Sequence, residues 1–164
     1  MKIELKNVKY SDFASHETSC FEASVYIDGK RMGTASNDGQ GGSHNYDSRE
    51  LVEALMAHAK TLPTRTWTLN GEALEVPPTT DTVIDDLLMA YLYGRDLKRA
   101  MSKRVLFVDK DGILRETKSM IKAQLEALLK SETLPQRLQS TRILNLMPFD
   151  TALTTYREAV AAGA

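Results

Sequence analysis

A glycine-rich loop carries the residues whose types and spacing are best suited to binding chemistry. It runs Asn37-Asp38-Gly39-Gln40-Gly41-Gly42-Ser43-His44-Asn45-Tyr46-Asp47 and places three glycines in four positions. Glycine reaches φ > 0 without a Cβ clash, so a ligand or another backbone can come close. A predicted strand precedes the loop and a predicted helix follows it, an arrangement that gathers backbone N–H groups around an anion. The candidate binding residues are Asn37, Asp38, Gly39, Gly41, Gly42, Ser43, His44, Asn45 and Tyr46.

Three uses of this loop stay open: a structural connection, a contact with a partner protein, or a site for a small anionic ligand such as a nucleotide. The loop lacks the lysine of the phosphate-binding G-x-x-x-x-G-K-[ST] pattern and does not fit G-x-G-x-x-G. Asp38 and Asp47 would repel a phosphate unless they held a cation or a sugar hydroxyl. His44 has Ser43 beside it, but adjacency in sequence does not make a catalytic triad. We expect a recognition surface and no active centre.

The other residues that could bind a metal or act as catalysts are sparse. His16, His44, His58 and Cys20 show no zinc-ligand spacing. Cys20 precedes a predicted strand, where a small packed side chain is expected. The sequence therefore predicts no metal site, no cofactor and no catalytic residue.

The segment Val105-Leu106-Phe107-Val108-Asp109-Lys110-Asp111-Gly112-Ile113 resembles the first motif of haloacid-dehalogenase-type phosphatases. That resemblance implies Asp109 as nucleophile and Asp111 as general acid/base, with Mg²⁺ between carboxylate and phosphate. Ile113 departs from the pattern, and the chain after Asp111 is too short for the further βα units of that fold. The calcium-loop pattern also fails, because Gly112 follows Asp111 directly. We predict a hairpin turn here, since Asp and Gly are typical turn residues.

A basic segment lies at the C-terminal end of the longest predicted helix and just beyond it. It contains Arg95, Lys98, Arg99, Lys103 and Arg104, and residues 95–122 hold nine basic and four acidic side chains. Such charge can contact nucleic-acid phosphates or an acidic protein surface, or can complement the C-terminal end of a helix dipole. No helix-turn-helix, zinc-finger or aromatic RNA-binding signature accompanies it.

Composition bounds the class of protein. The 164 residues suit one domain, with 42% hydrophobic and 26% charged residues and a net charge of −1. One cysteine excludes an internal disulfide framework and fits a reducing compartment. No apolar run is long enough for a membrane span, and the N-terminus lacks the apolar core of a signal peptide. We expect a soluble cytoplasmic protein without membrane association.

Hydrophobic periodicity predicts an α+β fold. An N-terminal antiparallel meander, turning at Asp28-Gly29, leads through the glycine loop into a helix, and further helices surround a second hairpin. Asp47 with Glu50 fits a capping box. We expect a single domain, 1–164, with Pro77-Pro78 as the place for a subdomain break near 77–80. The predicted strands are 2–10, 21–27, 31–36, 105–108, 113–117 and 142–146, with 66–76 extended and turning at Asn70-Gly71. The first predicted helix starts after Asp47 and ends before Pro63, and its apolar residues recur at helical spacing: Leu51, Val52, Leu55, Met56 and Ala59. The next helix, 80–102, has an apolar stripe of Ile84, Leu87, Leu88, Tyr91 and Leu92. A helix over 119–129 turns Ile121, Leu125, Leu128 and Leu129 inward, and a short C-terminal helix is capped by Asp150.

The run Cys20 to Lys30, the segment Ser36 to Gly42 and the hairpin-like Val105 to Lys118 are similar to small uncharacterised proteins encoded by phages and prophages. That resemblance implies a phage accessory protein that binds and blocks a host component such as a defence system. The leading hypothesis is therefore a non-enzymatic interaction protein acting on a host protein through the glycine loop and the hairpin. Alternatives are a small-ligand binder that sequesters a nucleotide or phosphorylated signal, and nucleic-acid binding through the basic segment.

Overall fold

The computed structural model describes residues 1–69, 71–131, 134–135, 138 and 142–162. Its contacts divide the chain into two compact units, residues 1–90 and 91–164, and each is described by itself. Helices and antiparallel sheets occur in the same chain, so the α+β prediction is confirmed. Whether the two units fold as one domain stays a prediction.

The first unit contains the predicted meander. Strands β1 (Ile3–Ser11), β2 (Cys20–Ile27), β3 (Lys30–Asn37) and β4 (Asn45–Tyr46) form an antiparallel sheet in the order 1-2-3-4. Asp28 and Gly29 both have positive φ, 49° and 85°. Their backbone therefore fits the right-handed strand twist of a two-residue hairpin, and the predicted turn is confirmed.

The first helix starts one residue later than the capping-box prediction requires. Helix α1 (Arg49–Ala59) has Ser48 as its N-cap, and the Ser48 hydroxyl accepts from the Leu51 N–H at 3.3 Å. The prediction of Asp47 as the cap is wrong, because its carboxylate accepts the Thr34 N–H of β3 at 2.6 Å instead. Leu51, Leu55 and Ala59 form the buried stripe, whereas Met56, predicted to face inward, is 48% exposed.

A separate hairpin follows α1. Strands β5 (Arg65–Leu69) and β6 (Glu72–Val76) pair with each other in a two-stranded sheet. The predicted turn at Asn70-Gly71 lies partly outside the described residues, since Asn70 is not described. Gly71 has a φ of 85°, a conformation that suits a hairpin turn.

Helix α2 (Thr80–Met101) has 22 residues, of which 80–90 belong to the first unit and 91–101 to the second. The predicted long helix is confirmed, and it continues through Gly94. Ile84, Leu88 and Leu92 are buried as predicted, but Tyr91 is 40% exposed.

The second unit is built around the apolar run Val105 to Val108. Strand β7 (Leu106–Val108) lies between β8 (Leu114–Glu116) and β9 (Arg142–Ile143), so the predicted hairpin around Asp109 to Gly112 is confirmed. Because strand side chains alternate between faces, Leu106 and Val108 pack into one apolar cluster, and Phe107 packs into another.

Three predicted elements of this unit need correction. The strand predicted at 142–146 is shorter, because Leu144–Leu146 form a 3₁₀ turn. Helix α3 (Lys122–Lys130) leaves Ile121, predicted to be buried, at its N-cap and 67% exposed. Helix α4 (Phe149–Ala162) has 14 residues and already includes Asp150 in its first turn, so it is neither short nor capped by that residue.

Candidate functional site

Asn37, at the end of β3, is the centre of the hydrogen bonds within the glycine loop. It is 4% exposed. Its Oδ1 accepts from the Gly39 N–H at 2.8 Å, and the Thr18 hydroxyl donates to the same atom at 2.6 Å. Its Nδ2 donates to the Gly42 carbonyl at 3.2 Å. Since a backbone N–H can only donate, the contact with Gly39 fixes which side-chain atom of Asn37 is the oxygen.

That orientation fixes the tautomer of neutral His44. Asn37 Nδ2 lies 3.2 Å from His44 Nδ1, which must therefore accept. The proton is then on Nε2, 3.1 Å from Asp85 Oδ1 on α2. The His44 side chain is 4% exposed, and the ring of Phe21 packs edge-on against it at 5.0 Å between centroids. With both ring nitrogens engaged and the ring buried, His44 has no nitrogen free to act as a general base.

Asp81, one turn before Asp85 on α2, holds the far end of the loop. Its Oδ2 accepts the His44 N–H at 3.1 Å, and the Tyr46 hydroxyl donates to its Oδ1 at 2.8 Å. Burial, followed by this hydrogen bond, raises the pKa of Tyr46 well above its usual value. Asp81 and Asp85 are four residues apart and so share a helix face, which allows both to bind the same loop.

Gly39 fastens the loop to the segment between β1 and β2. Its carbonyl accepts from the N–H groups of His16 and Glu17, each at 3.0 Å. A Cβ at Gly39 would lie 2.0 Å from the Ala14 carbonyl oxygen, and φ here is 86°. Both the contact and the backbone conformation therefore require glycine.

The loop forms one wall of an open cleft of about 470 Å³. The lining residues are Ser15, His16, Glu17, Thr18, Ser19, Gly42, His44, Asp81 and Asp85. Hydroxyls and carboxylates dominate this list. Anions are therefore disfavoured in the cleft, and positively charged groups are favoured.

The loop's own N–H groups are largely used within the protein. Those of Gly39 and Gly41 donate to Asn37 Oδ1 and Thr18 Oγ1 at 2.8 and 3.2 Å. Those of Gln40 and His44 donate to the carboxylates of Asp38 and Asp81 at 3.1 Å each. An anion-binding loop needs such groups free to face the ligand, so the arrangement is that of a rigid junction.

Asp38, Ser43 and Asn45 are the predicted loop residues with exposed side chains. Gly41 is half-buried beside the Glu17 carboxylate, and Gly42 is exposed with open space around it. Their role in binding stays a prediction. Thr18, Asp81 and Asp85 were not predicted as site residues. The i, i+4 pair of carboxylates at the start of α2 was the available signal, but nothing in the sequence pairs it with the loop.

Both oxygens of the Asp109 carboxylate form contacts within its own hairpin. Oδ1 accepts from the N–H groups of Asp111 and Ile113 at 3.0 Å each, and Oδ2 forms an ion pair with Arg115. The Arg115 hydrogen bond, followed by the Ile113 N–H, lowers the pKa of Asp109 below its usual value. Both oxygens therefore hold the turn, which is the structural role that the sequence predicts.

The five residues of the predicted basic segment, all in the second unit, divide into two groups. Arg95, Arg99, Lys103 and Arg104 line one groove, together with Asp96 and Ala100. The Lys98 ammonium lies apart from it, 4.7 Å from the centroid of the Phe149 ring, as a cation–π contact.

The β5–β6 hairpin presents an apolar face that is not among the predicted sites. Trp67 lies directly opposite Leu74, and Arg65 opposite Val76, so the three apolar side chains share one face. Trp67 is 63% exposed, Leu74 53% and Val76 36%. Arg65 forms an ion pair with Asp86 on α2, which joins the hairpin to the helix that holds the loop.

The fold and the site define an α+β protein with a rigid, acidic loop junction and an uncovered hairpin face. Comparisons with family models, curated proteins and solved structures found no match to this chain. Within the described ranges, no helix has the length and apolarity needed to cross a bilayer.

Proposed function

We propose that this is a non-enzymatic binding protein that occupies a surface of a partner protein. The resemblance to small phage-encoded proteins suggests a bacterial host component, blocked by the binding, as that partner. The observation that carries the proposal is the uncovered face of the β5–β6 hairpin, formed by Trp67, Leu74 and Val76 and called the hairpin face below.

A two-stranded hairpin with no other element packed on its face is unusual in a folded protein. An isolated two-stranded hairpin is marginally stable in water, and three or more strands or a packed helix normally support it. All described side chains of β5 and β6 are exposed, so burial contributes little to holding this hairpin together. Contiguous exposed apolar residues mark interaction sites, and tryptophan is among the residues that contribute most at protein interfaces.

The charge around the hairpin face indicates the chemistry of the partner. Residues 1–90 contain 8 Lys and Arg against 14 Asp and Glu, a net charge of −6. Asp86 forms an ion pair with Arg65. Asp85, the residue before it, is exposed and lines the acidic cleft. A partner with an apolar pocket for Trp67 and basic side chains around it would complement this unit. A stable complex buries about 1,200–2,000 Å² in total, more than one hairpin face supplies, so we expect neighbouring acidic surface to contribute.

Support for the nucleotide alternative is weaker. The loop amides are bonded internally, and the cleft beside them is lined by Glu17, Asp81 and Asp85. A phosphate there would meet like charge and few free donors.

Pull-down from bacterial host lysate tests the proposal with three proteins: wild type, Trp67→Ala, and the matched control Met56→Ala. Met56 is an exposed apolar residue on α1, away from the hairpin in sequence. We expect one protein to be retained by wild type and Met56→Ala and lost with Trp67→Ala, because the truncation removes the largest exposed apolar side chain of the hairpin face. Urea unfolding should give similar stability for all three, since both residues are exposed.

The proposal fails if no protein is retained, or if the same protein is retained equally by Trp67→Ala. A second variant, Asp38→Ala with Asn45→Ala, tests the predicted role of the glycine loop in the same experiment. Loss of the partner with these exposed loop residues changed would extend the interface to the loop.

A further inference from the structure

The second unit has a concave basic surface that the proposed function does not use. Arg95, Arg99, Lys103 and Arg104 line a groove of about 490 Å³, called the basic groove below. Arg95 and Arg99 are one turn apart on α2, about 6 Å along the axis. The chain then turns tightly, since the N–H groups of Lys103 and Arg104 both donate to the Ala100 carbonyl. Local backbone geometry therefore brings two helical and two post-helical cations to one place.

Only part of this charge is neutralised nearby. Arg95 pairs with Asp96 at 2.9 Å, and Arg104 with Glu116 at 2.5 Å. Within the part of the chain that the structure describes, Arg99 and Lys103 have no carboxylate at ion-pair distance. Both are exposed. The groove therefore carries uncompensated positive charge on side chains that can reach a ligand.

A second groove continues from Lys103. It has a volume of about 600 Å³ and is lined by Ser102, Lys103, Ser119, Met120, Ile121, Lys122 and Gln124. Ser102, Ser119 and Gln124 add uncharged hydrogen-bonding groups, and Lys122 adds another cation. Ile121, 67% exposed, adds an apolar side chain against which a base or sugar can lie. The two grooves share Lys103, so an extended ligand could follow both.

We propose that this double groove binds the phosphate backbone of a nucleic acid. Phosphate contacts come from Arg, Lys and Ser/Gln side chains, the groups present here, and their affinity depends on accumulated positive charge. The centres of protein–protein interfaces, by contrast, are depleted in charged residues as a class and in lysine, and are enriched in aromatic residues, Met and Arg. Of the described residues that line the basic groove, only Ala100 is apolar and none is aromatic, which does not fit the centre of a protein interface. Residues 91–164 contain 13 Lys and Arg against 8 Asp and Glu, a net charge of +5, which suits a polyanion.

Fluorescence anisotropy with labelled 20-nucleotide single-stranded RNA, single-stranded DNA and duplex DNA tests the proposal over a range of salt concentrations. The test variant is Arg99→Gln with Lys103→Gln, and the control is Lys30→Gln with Lys60→Gln. Both change the net charge by the same amount, and all four side chains are exposed. An unlabelled poly-glutamate peptide serves as competitor.

Wild type and control should bind at least one of the oligonucleotides with affinity that falls steeply with salt. Loss of two phosphate contacts should weaken single-strand binding by about 25-fold at 0.1 M salt and reduce the log–log salt slope by about 1.4. The three oligonucleotides show whether one form of nucleic acid is preferred. The proposal is overturned if wild type binds none of them, if the control weakens binding as much as the test variant, or if poly-glutamate at equal charge competes equally, which would assign the groove to an acidic protein.

Discussion

At the residue scale, the glycine loop is held by contacts between residues distant in sequence. The sequence identified Asn37, His44 and Tyr46 by type and by their position near glycines. Their partners Thr18, Asp81 and Asp85 lie 19 to 41 positions away. Local patterns cannot predict such pairs, because turn chemistry and helix periodicity are short-range properties. This is why a loop that looks suited to an anion by its glycines has donors that are already bonded.

Gly39 and Gly42 allow the cost of a Cβ clash to be distinguished from the cost of a left-handed backbone conformation. Both have positive φ, 86° and 83°, but a Cβ at Gly39 would meet the Ala14 carbonyl oxygen at 2.0 Å, whereas a Cβ at Gly42 would meet no atom of the described residues within 4 Å. Gly42→Ala should cost about 1–2 kcal/mol of unfolding free energy from the left-handed backbone alone. Gly39→Ala should cost about 3 kcal/mol or more, because the overlap adds to the same backbone strain. Urea unfolding of both variants measures the difference, and equal losses would contradict the tight packing of the loop against residues 12–19.

At the element scale, alternation and helical periodicity predicted most strands and helices. The clearest case is β2, where Phe21, Ala23 and Val25 are buried and alternate with more exposed residues. The run Val105 to Val108 could also be predicted as a strand, because a strand with apolar clusters on both faces is apolar at every position. The start of α1 could not be predicted, because both Asp47 and Ser48 are good capping residues. The Thr34 N–H decides between them, because it donates to the Asp47 carboxylate and leaves Ser48 as the cap. Thr34 lies on a strand that was predicted, but the sequence does not specify how that strand pairs with the junction.

The junction before α1 gives a prediction about acid stability. The Thr34 N–H, as the leading cause, lowers the pKa of Asp47 below its usual 3.8. A lowered folded-state pKa means that the carboxylate stabilises the fold above pH 3.8, and that this contribution is lost as pH falls through the folded-state value. Asp47→Asn should therefore lower the unfolding free energy at pH 7, and its difference from wild type should shrink towards pH 3.

Ser48→Ala is the matched control for Asp47, one residue further along the same junction. Its loss of the Leu51 cap should cost about 1 kcal/mol. That cost should stay the same between pH 7 and pH 3, because a serine hydroxyl does not titrate in this pH range. Urea unfolding at pH 7, 5 and 3 gives both comparisons. A difference for Asp47→Asn that stays constant down to pH 3 would show that its hydrogen bond does not depend on the charge.

At the scale of the whole molecule, the near-zero net charge conceals two oppositely charged halves. Residues 1–90 carry −6 and residues 91–164 carry +5. The sequence already showed an uneven charge distribution, but the compact units set where the division falls. Each unit presents its own candidate surface, the hairpin face in the first and the basic groove in the second. The clustered positive charge and the exposed apolar residues thus lie on different surfaces, which matches two different classes of ligand.

The two surfaces should therefore act independently. Trp67→Ala should remove the captured partner protein and leave oligonucleotide affinity within about twofold of wild type, because no phosphate-contacting cation is changed. Arg99→Gln with Lys103→Gln should weaken oligonucleotide binding and leave capture of the partner protein unchanged.

Raising salt from 50 to 200 mM should weaken oligonucleotide binding far more than capture of the partner protein, since burial of Trp67 and Leu74 is not screened by ions. Combining all three substitutions should give the sum of the separate changes in binding free energy, because additivity is what independent sites show. If either set of substitutions abolished both activities, the two surfaces would have to serve one common ligand.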